Sequence, residues 1–421
     1  MDGPTAQLQS ELETSLATSL ATQRPLLTHL NADTTWLLSI PVPPVPAQPL
    51  ANFRDQAEAE ARSASGRPRK FPGHRVVGGR PGGPAPRCYY HVLIDPWLRG
   101  SQSDVTRFLS QQWHTQVSAV QSITEVGDVI AGIEALASAG LRRRRRPRRA
   151  GGEYHDEAET GAANGPGEEE RRRIDLVVVS HEFTDHMHKA TLLEVPAAVP
   201  VFATDKAAGM VRSWDHFKTV VAMPKFSGSA RDWRAMSVAP LPRWLAVSRL
   251  VGAGDLLDYH SAVMLTFSRW HGDGNGDGDD NASTSYRDAG EAEAIIYTPH
   301  GISPSSLEPV SAASPPIRTL ALMHGLHDIN IGSQLNLGGH NGLKAQRLTA
   351  AKYWVGTHDE VKKGGGLVSW ILRRKVVSLE EALRLEEMEK GEAGIEQGHD
   401  VQSMEDVRFV ELGNGESLLL E

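Results

Sequence analysis

The segment Ser180-His181-Glu182-Phe183-Thr184-Asp185-His186 sets imidazoles and carboxylates side by side directly after an apolar run, Ile174-Asp175-Leu176-Val177-Val178-Val179. A run of that kind reads as a buried strand, and the polar cluster lies where it ends. Imidazole and carboxylate groups held at a strand end, one to five residues apart, can converge on one metal ion. Two further apolar segments end in histidine: Ala294 to Pro299 runs into His300, and Lys352 to Thr357 runs into His358. His260 instead opens the segment Ser261 to Ser268. If that segment pairs antiparallel with Ala294 to Thr298, His260 and His300 share a sheet edge. One histidine at a strand end is usually structural. Four of them, with the adjacent Asp185 and His186, point to a ligand cluster. Phe183 has no donor atom and stands where a further ligand would be useful.

The elements that must carry these groups alternate between strand and helix patterns. Asp33 to Ile40 reads as a strand rich in β-branched and aromatic residues, and Tyr89 to Ile94 as a second one that ends at Asp95-Pro96-Trp97. Residues 5 to 22 carry Leu8, Leu12, Leu16 and Leu20 on one helical stripe, whose polar face is not basic, so no membrane role is assigned to it. The stretch after His188 (KATLLEV) begins a helix, and a C-terminal helix is expected over Leu379 to Lys390. A hairpin from Val407 to Leu420, turning at Gly413-Asn414-Gly415, closes the chain. Insertions rich in Pro, Gly, Arg or Glu are expected near 41–87, 141–173 and 271–292. The expected division is a helical or flexible extension over 1–28, one domain over 29–377, and a helix-and-hairpin extension over 378–421.

Composition removes several classes of function. Lys and Arg number 44 against 52 Asp and Glu, a formal net charge of −8, which argues against a general nucleic-acid binder. The basic run Arg142 to Arg149 has two readings, a nuclear signal or a solvated loop, and the acidic Glu168 to Glu170 nearby favour the loop. A single cysteine, Cys88, rules out an internal disulfide and suits a reducing compartment, so a cytoplasmic location is expected. No secretory start is visible and no apolar stretch approaches the roughly 20 residues that span a bilayer. His271 to Asp280 (HGDGNGDGDD) resembles a calcium loop in composition but lacks the closing Glu, and reads as a hairpin tip. No Gly-rich stretch has phosphate-loop spacing, so no nucleotide is expected.

The order and spacing of the histidines resemble the metallo-β-lactamase superfamily, over roughly residues 29 to 375. That family's first motif, His-x-His-x-Asp-His, is matched by His181, Asp185 and His186, with Phe183 in place of the second His. A later His that opens a hairpin strand is matched by His260. Where the family has an Asp closing that hairpin, this chain has His300. The final His is matched by His358. The resemblance implies an α/β (α+β) fold, a four-layer αββα sandwich with a metal site at one rim, closest to lactonase-like and phosphodiesterase-like members. It also implies two metal pockets, and here they differ. The first keeps only His181 and His260, whereas Asp185, His186 and His358 of the second are all present. A neutral His300 offers one lone pair where a bridging carboxylate offers two oxygens. One divalent ion is therefore expected, zinc with manganese or iron as alternatives, held by Asp185, His186 and His358 with His300 as fourth ligand or supporting partner.

The chemistry this implies is hydrolysis of a small-molecule ester, lactone or phosphoester by a metal-bound hydroxide, the ion lowering the pKa of water to about 7. Asp185 would take part in catalysis and His181 or His260 would shuttle the proton. The rival reading is an inactive member of the same fold that serves as a binding protein, with Phe183 and His300 filling the metal cavity by stacking on other imidazoles. Asp95 is placed to orient a ligand imidazole or to cap its turn. The connection from Met323 to Gly342 is a candidate pocket wall. His188 is read mainly as the start of its helix, Trp97, Trp113 and Trp354 as core, and Cys88 as unreactive. The oligomeric state is left open.

Overall fold

The computed structural model describes residues 15–43, 87–104, 106, 108–145, 172–227, 232–252, 259–269, 291–392 and 407–421. Residues 44–86, 146–171 and 270–290, which hold most of the expected insertions and the calcium-like loop, lie outside the described residues, but residues 142–145 of the basic run end the helix Ile123–Arg145 where a loop was expected. Leu8 and Leu12 of the N-terminal stripe also lie outside the described residues.

Two large sheets face each other. The first has seven strands in the order β19-β1-β2-β3-β6-β7-β8. These are β1 (Leu26–His29), β2 (Trp36–Pro41), β3 (Tyr89–Ile94), β6 (Leu176–Val179), β7 (Val201–Ala203), β8 (Val220–Ala222) and β19 (Ser417–Leu419). The second has six, in the order β18-β15-β12-β11-β10-β9. They are β9 (Leu245–Leu250), β10 (Ala262–Ser268), β11 (Ala292–Thr298), β12 (Ile317–His324), β15 (Tyr353–Val355) and β18 (Phe409–Val410).

Side-chain alternation shows why the strands are apolar throughout. In β6, Leu176 and Val178 pack in the core between the sheets, with Val263, Leu265, Ile295 and Tyr297 of the other sheet. Val177 and Val179 point the opposite way, onto Val126 and Ile130 of the helix Ile123–Arg145 and Ala208 of the helix Asp205–Arg212. In the six-stranded sheet Met264, Ile296 and Leu322 pack outward with Ala345 of the helix Gly339–Thr349. With both faces of each sheet covered, a strand has no solvent side and needs no polar alternation. The result is the four-layer αββα sandwich that the resemblance implies.

Two small sheets stand over one end of the sandwich: β4 (Ser101–Gln102), β5 (Gln111–Trp113) and β16 (Lys363–Gly365), and β13 (Asp328–Asn330), β14 (Gln334–Asn336) and β17 (Arg373–Lys375). Strands β3, β6 and β7 run parallel, as do β11, β12 and β15. Each set therefore delivers its carboxyl ends to one rim, the usual place for a site in sheets of this kind. No helix among the described residues is long and apolar enough to cross a membrane.

The chain ends depart from expectation. The segment from Val407 to Leu420 is not a hairpin: β18 adds to β15, and β19 adds to β1 in the other sheet. Each edge strand has free backbone groups that a two- or three-residue strand satisfies better there than against an equally short partner. Residues 15–22 are helical and bury Leu16 fully in the outer core. Strand β1 pairs on both sides, so boundaries at 28 and 378 do not separate structural units. Trp113 is also not core: it is 38% exposed.

Just before β1, Arg24 holds the Glu293 carboxylate of β11, with Nη1 2.5 Å from both oxygens. Glu293 is 1% exposed, with Phe267 and Arg318 as its register partners on the two flanking strands. Arg24→Ala leaves that buried charge uncompensated and is expected to cost about 3–5 kcal/mol in urea unfolding, most of it recovered by adding Glu293→Gln. A loss below about 1 kcal/mol would mean the pair does not tie the N-terminal segment to the second sheet.

Candidate metal centre

Asp95 follows β3 in the left-handed backbone region, at φ 44°. Its carboxylate accepts from the Ser180 N–H at 2.7 Å, from the Ser180 hydroxyl, and from the Tyr297 hydroxyl of β11 at 2.9 Å. His186 Nδ1 lies 2.7 Å from Asp95 Oδ2. Because a carboxylate only accepts, Nδ1 carries the proton and Nε2 turns inward. Asp95 thus orients a ligand-type imidazole, one of the two roles considered for it.

His358 repeats the arrangement from the other sheet. It follows β15 at φ 61°, its backbone N–H donates to Asp33 O at 3.0 Å, and its Nδ1 lies 3.0 Å from Asp33 Oδ1. A histidine in the left-handed region costs of order 1 kcal/mol or more, which the two contacts to Asp33 offset. His358 Nε2 then sits 3.8 Å from Asp185 Oδ2, and His186 Nε2 sits 3.7 Å from Asp185 Oδ1. His300 closes the set, its Nε2 2.9 Å from His186 Nε2. Gly301 follows at φ +84°, and a Cβ there would lie 2.5 Å from Leu337 Cβ, so the tight exit from His300 needs glycine.

Among the described residues two groups have ligand atoms within 4.8 Å of one another: His186, His300 and His358, and Asp33, Asp185 and His358. They are not equivalent. The second group already holds a cation, the buried Lys362 ammonium, 2.7 Å from Asp33 Oδ2 and 2.9 Å from Asp185 Oδ2. Lys362 also lies 5.5 Å from the Trp97 ring centroid, an added cation–π contact. The first group has three imidazole nitrogens with a carboxylate beside them, a donor set suited to a borderline divalent ion. His300 Nδ1 is buried with no hydrogen-bond partner, so Nε2 is the atom that this ring commits. The residues fit one ion.

The electrostatics keep two of the three rings, those of His300 and His358, ready to ligate, and favour the protonated form of the third. Burial, then His186 and His181, hold the His300 imidazole well below its ordinary pKa and keep it neutral. Burial and then Lys362 lower His358 as well. Burial alone would also lower His186, but Asp185 and Asp95 outweigh it and raise this group. Desolvation would push Asp33 and Asp185 up, yet Lys362 overcomes it in both and keeps them ionised.

The remaining expected residues fall around this centre. His181 stacks on Phe183 at 4.1 Å and on His300 at 5.0 Å, outside both ligand groups. Extending the register of β10 and β11, in which Val263 faces Tyr297, puts His260 opposite His300, as expected. His260 is half-buried there and belongs to neither group. His188 bonds Thr191 at its helix start. Buried Cys88 has its thiol pKa raised by burial and then by Glu134, which leaves it unreactive.

A cavity of about 620 Å³ opens on the centre. Asp185, His300, His358 and Lys362 line it, and Phe183, Tyr259, Leu109 and Leu335 give it apolar walls. Of the two segments of the expected connection, residues 323–328 and 336–342, only Asn336 lines it, with Ile329 and Ile331 from between them, and His181 and His260 do not. Asp104 lies on the wall, accepting from the Thr184 N–H and hydroxyl at 2.9 Å, its pKa raised by burial and then by Asp185. A larger cavity of about 750 Å³ lies among Tyr90, Ile123 and Pro240 and contains none of the cluster residues.

Sequence reasoning missed Asp33, Lys362 and Asp104 as site residues. Lys362 is four residues past His358, a spacing without meaning until a turn brings the ammonium back, and Asp33 is 325 positions from its imidazole partner.

No protein-family model matches the chain, and no curated protein matches it. Among solved structures it is similar to a possible metal-dependent hydrolase from Veillonella parvula, at TM-score 0.45 and 10% identity over 94% of this chain and 100% of that one. It is also similar to an isothiocyanate hydrolase from Delia radicum gut bacteria, at TM-score 0.41 and 13% identity over 79% and 93%. Both likenesses are too distant to bear on what this chain does.

Replacing Lys362 with Met leaves two buried carboxylates facing each other, at an expected cost of about 3–5 kcal/mol in chelator-treated protein. Asp33 is depressed in the folded state, so the pair's contribution is complete above the unfolded carboxyl pKa of about 3.9 and fades as pH falls below it. Urea melts across pH should show the wild-type advantage over Lys362→Met full at neutral pH and shrinking below about pH 4. A pH-independent gap would rule out an ionic role for Lys362.

Proposed function

We propose that the chain is a metal-dependent hydrolase of the metallo-β-lactamase type, acting on an ester, lactone or phosphoester with a single divalent ion. Zinc is the first choice, with manganese or iron as alternatives. The observation that supports this reading most is the clustering of the His186, His300 and His358 ligand nitrogens within 4.8 Å of one another, with Asp185 beside two of the rings and those two rings held by Asp95 and Asp33. Asp185, His186, His300 and His358 would hold the ion. When bound, it supplies Lewis acidity and brings the pKa of water at the site towards about 7.

The chain's own groups have distinct tasks in this reading. Lys362 holds the second Asp185 oxygen and fixes the rotation of that carboxylate towards the imidazoles. Asp104 shares the pocket wall with Asp185 and takes the proton-transfer role first expected of His181 or His260. Those two histidines are assigned to supporting His300, one by stacking and one across the strand register. Phe183 and Tyr259, 5.3 Å apart between ring centroids, would seat the apolar part of a substrate. Arg374, also on the wall and bonded to His327 Nδ1 at 2.8 Å, suits a developing carboxylate or phosphate product.

A second reading has its own support. Phe183, His181, His300 and His358 form a run of stacked rings, and Lys362 neutralises the two carboxylates without any ion. Such a centre could stand as a rigid, inactive binding site.

Elemental analysis decides between them. The hydrolase reading expects about one metal equivalent per chain after loading. Asp185→Asn and His358→Ala should each fall to about a tenth or less and lose at least about 100-fold in kcat/KM on a panel of aryl esters, lactones and phosphodiesters. Failure of the wild type to hold more than about a tenth of an equivalent would sink it. So would an Asp185→Asn melting shift that is equal with and without chelator.

A further inference from the structure

Residues 361–376 (VKKGGGLVSWILRRKV) carry five lysines and arginines and no carboxylate, in a chain whose formal net charge is −8. The same stretch exposes Leu367, Ile371 and Val376, and Trp370 is 88% exposed. Phe108, also 88% exposed, belongs to the same surface. The Leu367 N–H donates to Phe108 O at 3.1 Å and the Val368 N–H to Leu109 O at 2.9 Å, which locks the two turns together. Scattered apolar residues on a surface are ordinary, whereas a contiguous patch centred on Trp and Phe marks something that covers it.

The charges around the patch select the partner. Lys363 on β16 and Arg373 on β17 are exposed and flank the Trp370 turn, and among the described residues neither has an ion-pair partner. Lys375 is neutralised by Glu381 at 2.8 Å. A second copy docked on the same patch across a two-fold axis would set these cations against each other. An anionic bilayer accepts both parts at once: indole and phenyl rings settle at headgroup depth while lysine and arginine stems reach the phosphates.

We propose that the face formed by Phe108, Leu109 and residues 361–376 docks on the surface of an anionic phospholipid bilayer. Val361, Val368 and Leu372 of this segment also line the 620 Å³ cavity, so the docked face and the site share a wall. Delivery of an amphiphilic substrate from the bilayer would rest on the hydrolase reading; docking itself does not.

Co-sedimentation of the full chain with phosphatidylcholine vesicles, with and without phosphatidylserine, tests this together with the tryptophan emission maximum. Wild type is expected to bind the phosphatidylserine vesicles only, with a blue shift, and to be released by salt. Lys363→Ala with Arg373→Ala should weaken binding roughly 30-fold at low salt, at about 1 kcal/mol per charge. Phe108→Ser with Trp370→Ser should abolish both binding and blue shift. These side chains are exposed, and circular-dichroism melts matching wild type would show the variants folded. No vesicle binding by wild type, equal binding by all three proteins, or self-association that Trp370→Ser removes would each overturn the proposal. None of these readouts depends on metal or turnover.

Discussion

Three carboxylates, Asp33, Asp95 and Asp185, are buried around the same histidines, and each needs a compensating donor or charge. An uncompensated buried carboxylate costs several kcal/mol, so their partners dictate much of the local structure. Asp95 takes four donors from three residues in two chain segments and ties the ends of β3, β6 and β11 together. Asp33 and Asp185 share Lys362, which brings the loop after β15 back over the rim. The rim is shaped by charge balance as much as by apolar packing.

That balance also sets which nitrogen each histidine offers. Asp95 and Asp33 claim the Nδ1 atoms of His186 and His358, so both rings present Nε2 to the same space. Neighbouring imidazoles keep His300 neutral and therefore able to ligate. The two candidate ligand groups are therefore unequal: Lys362 neutralises Asp33 and Asp185 with a fixed single charge, whereas His186, His300 and His358 form the group left to ligate. Phe183 contributes no donor to either group and instead stacks on His181.

The lid over the site has a different logic. Its two small sheets are short, and the exposed Trp370 and Phe108 on the connections between their strands are the opposite of the all-buried strands beneath. The sandwich provides rigidity for the cluster, while the lid trades burial for contact with the surroundings.

Much of this was legible in the chain. The apolar runs before His181, His300 and His358 are strands because both sheet faces are covered, and a strand end is where polar residues must appear. Hence His186, His300, His358 and Asp185 could be named from strand ends and spacing, whereas the αββα layering came from the family resemblance that those residues carry. The C-terminal hairpin was misread because a local turn signal says nothing about which sheet edges lack partners. Asp33 and Lys362 carry no local signature, since a buried ion pair depends on distance in space and not on spacing in sequence. The sequence determined which groups reach the rim. The tertiary structure decided how those groups are charged, which nitrogen each ring presents, and that a lysine sits between Asp33 and Asp185, because pairing and desolvation exist only once the two sheets have met.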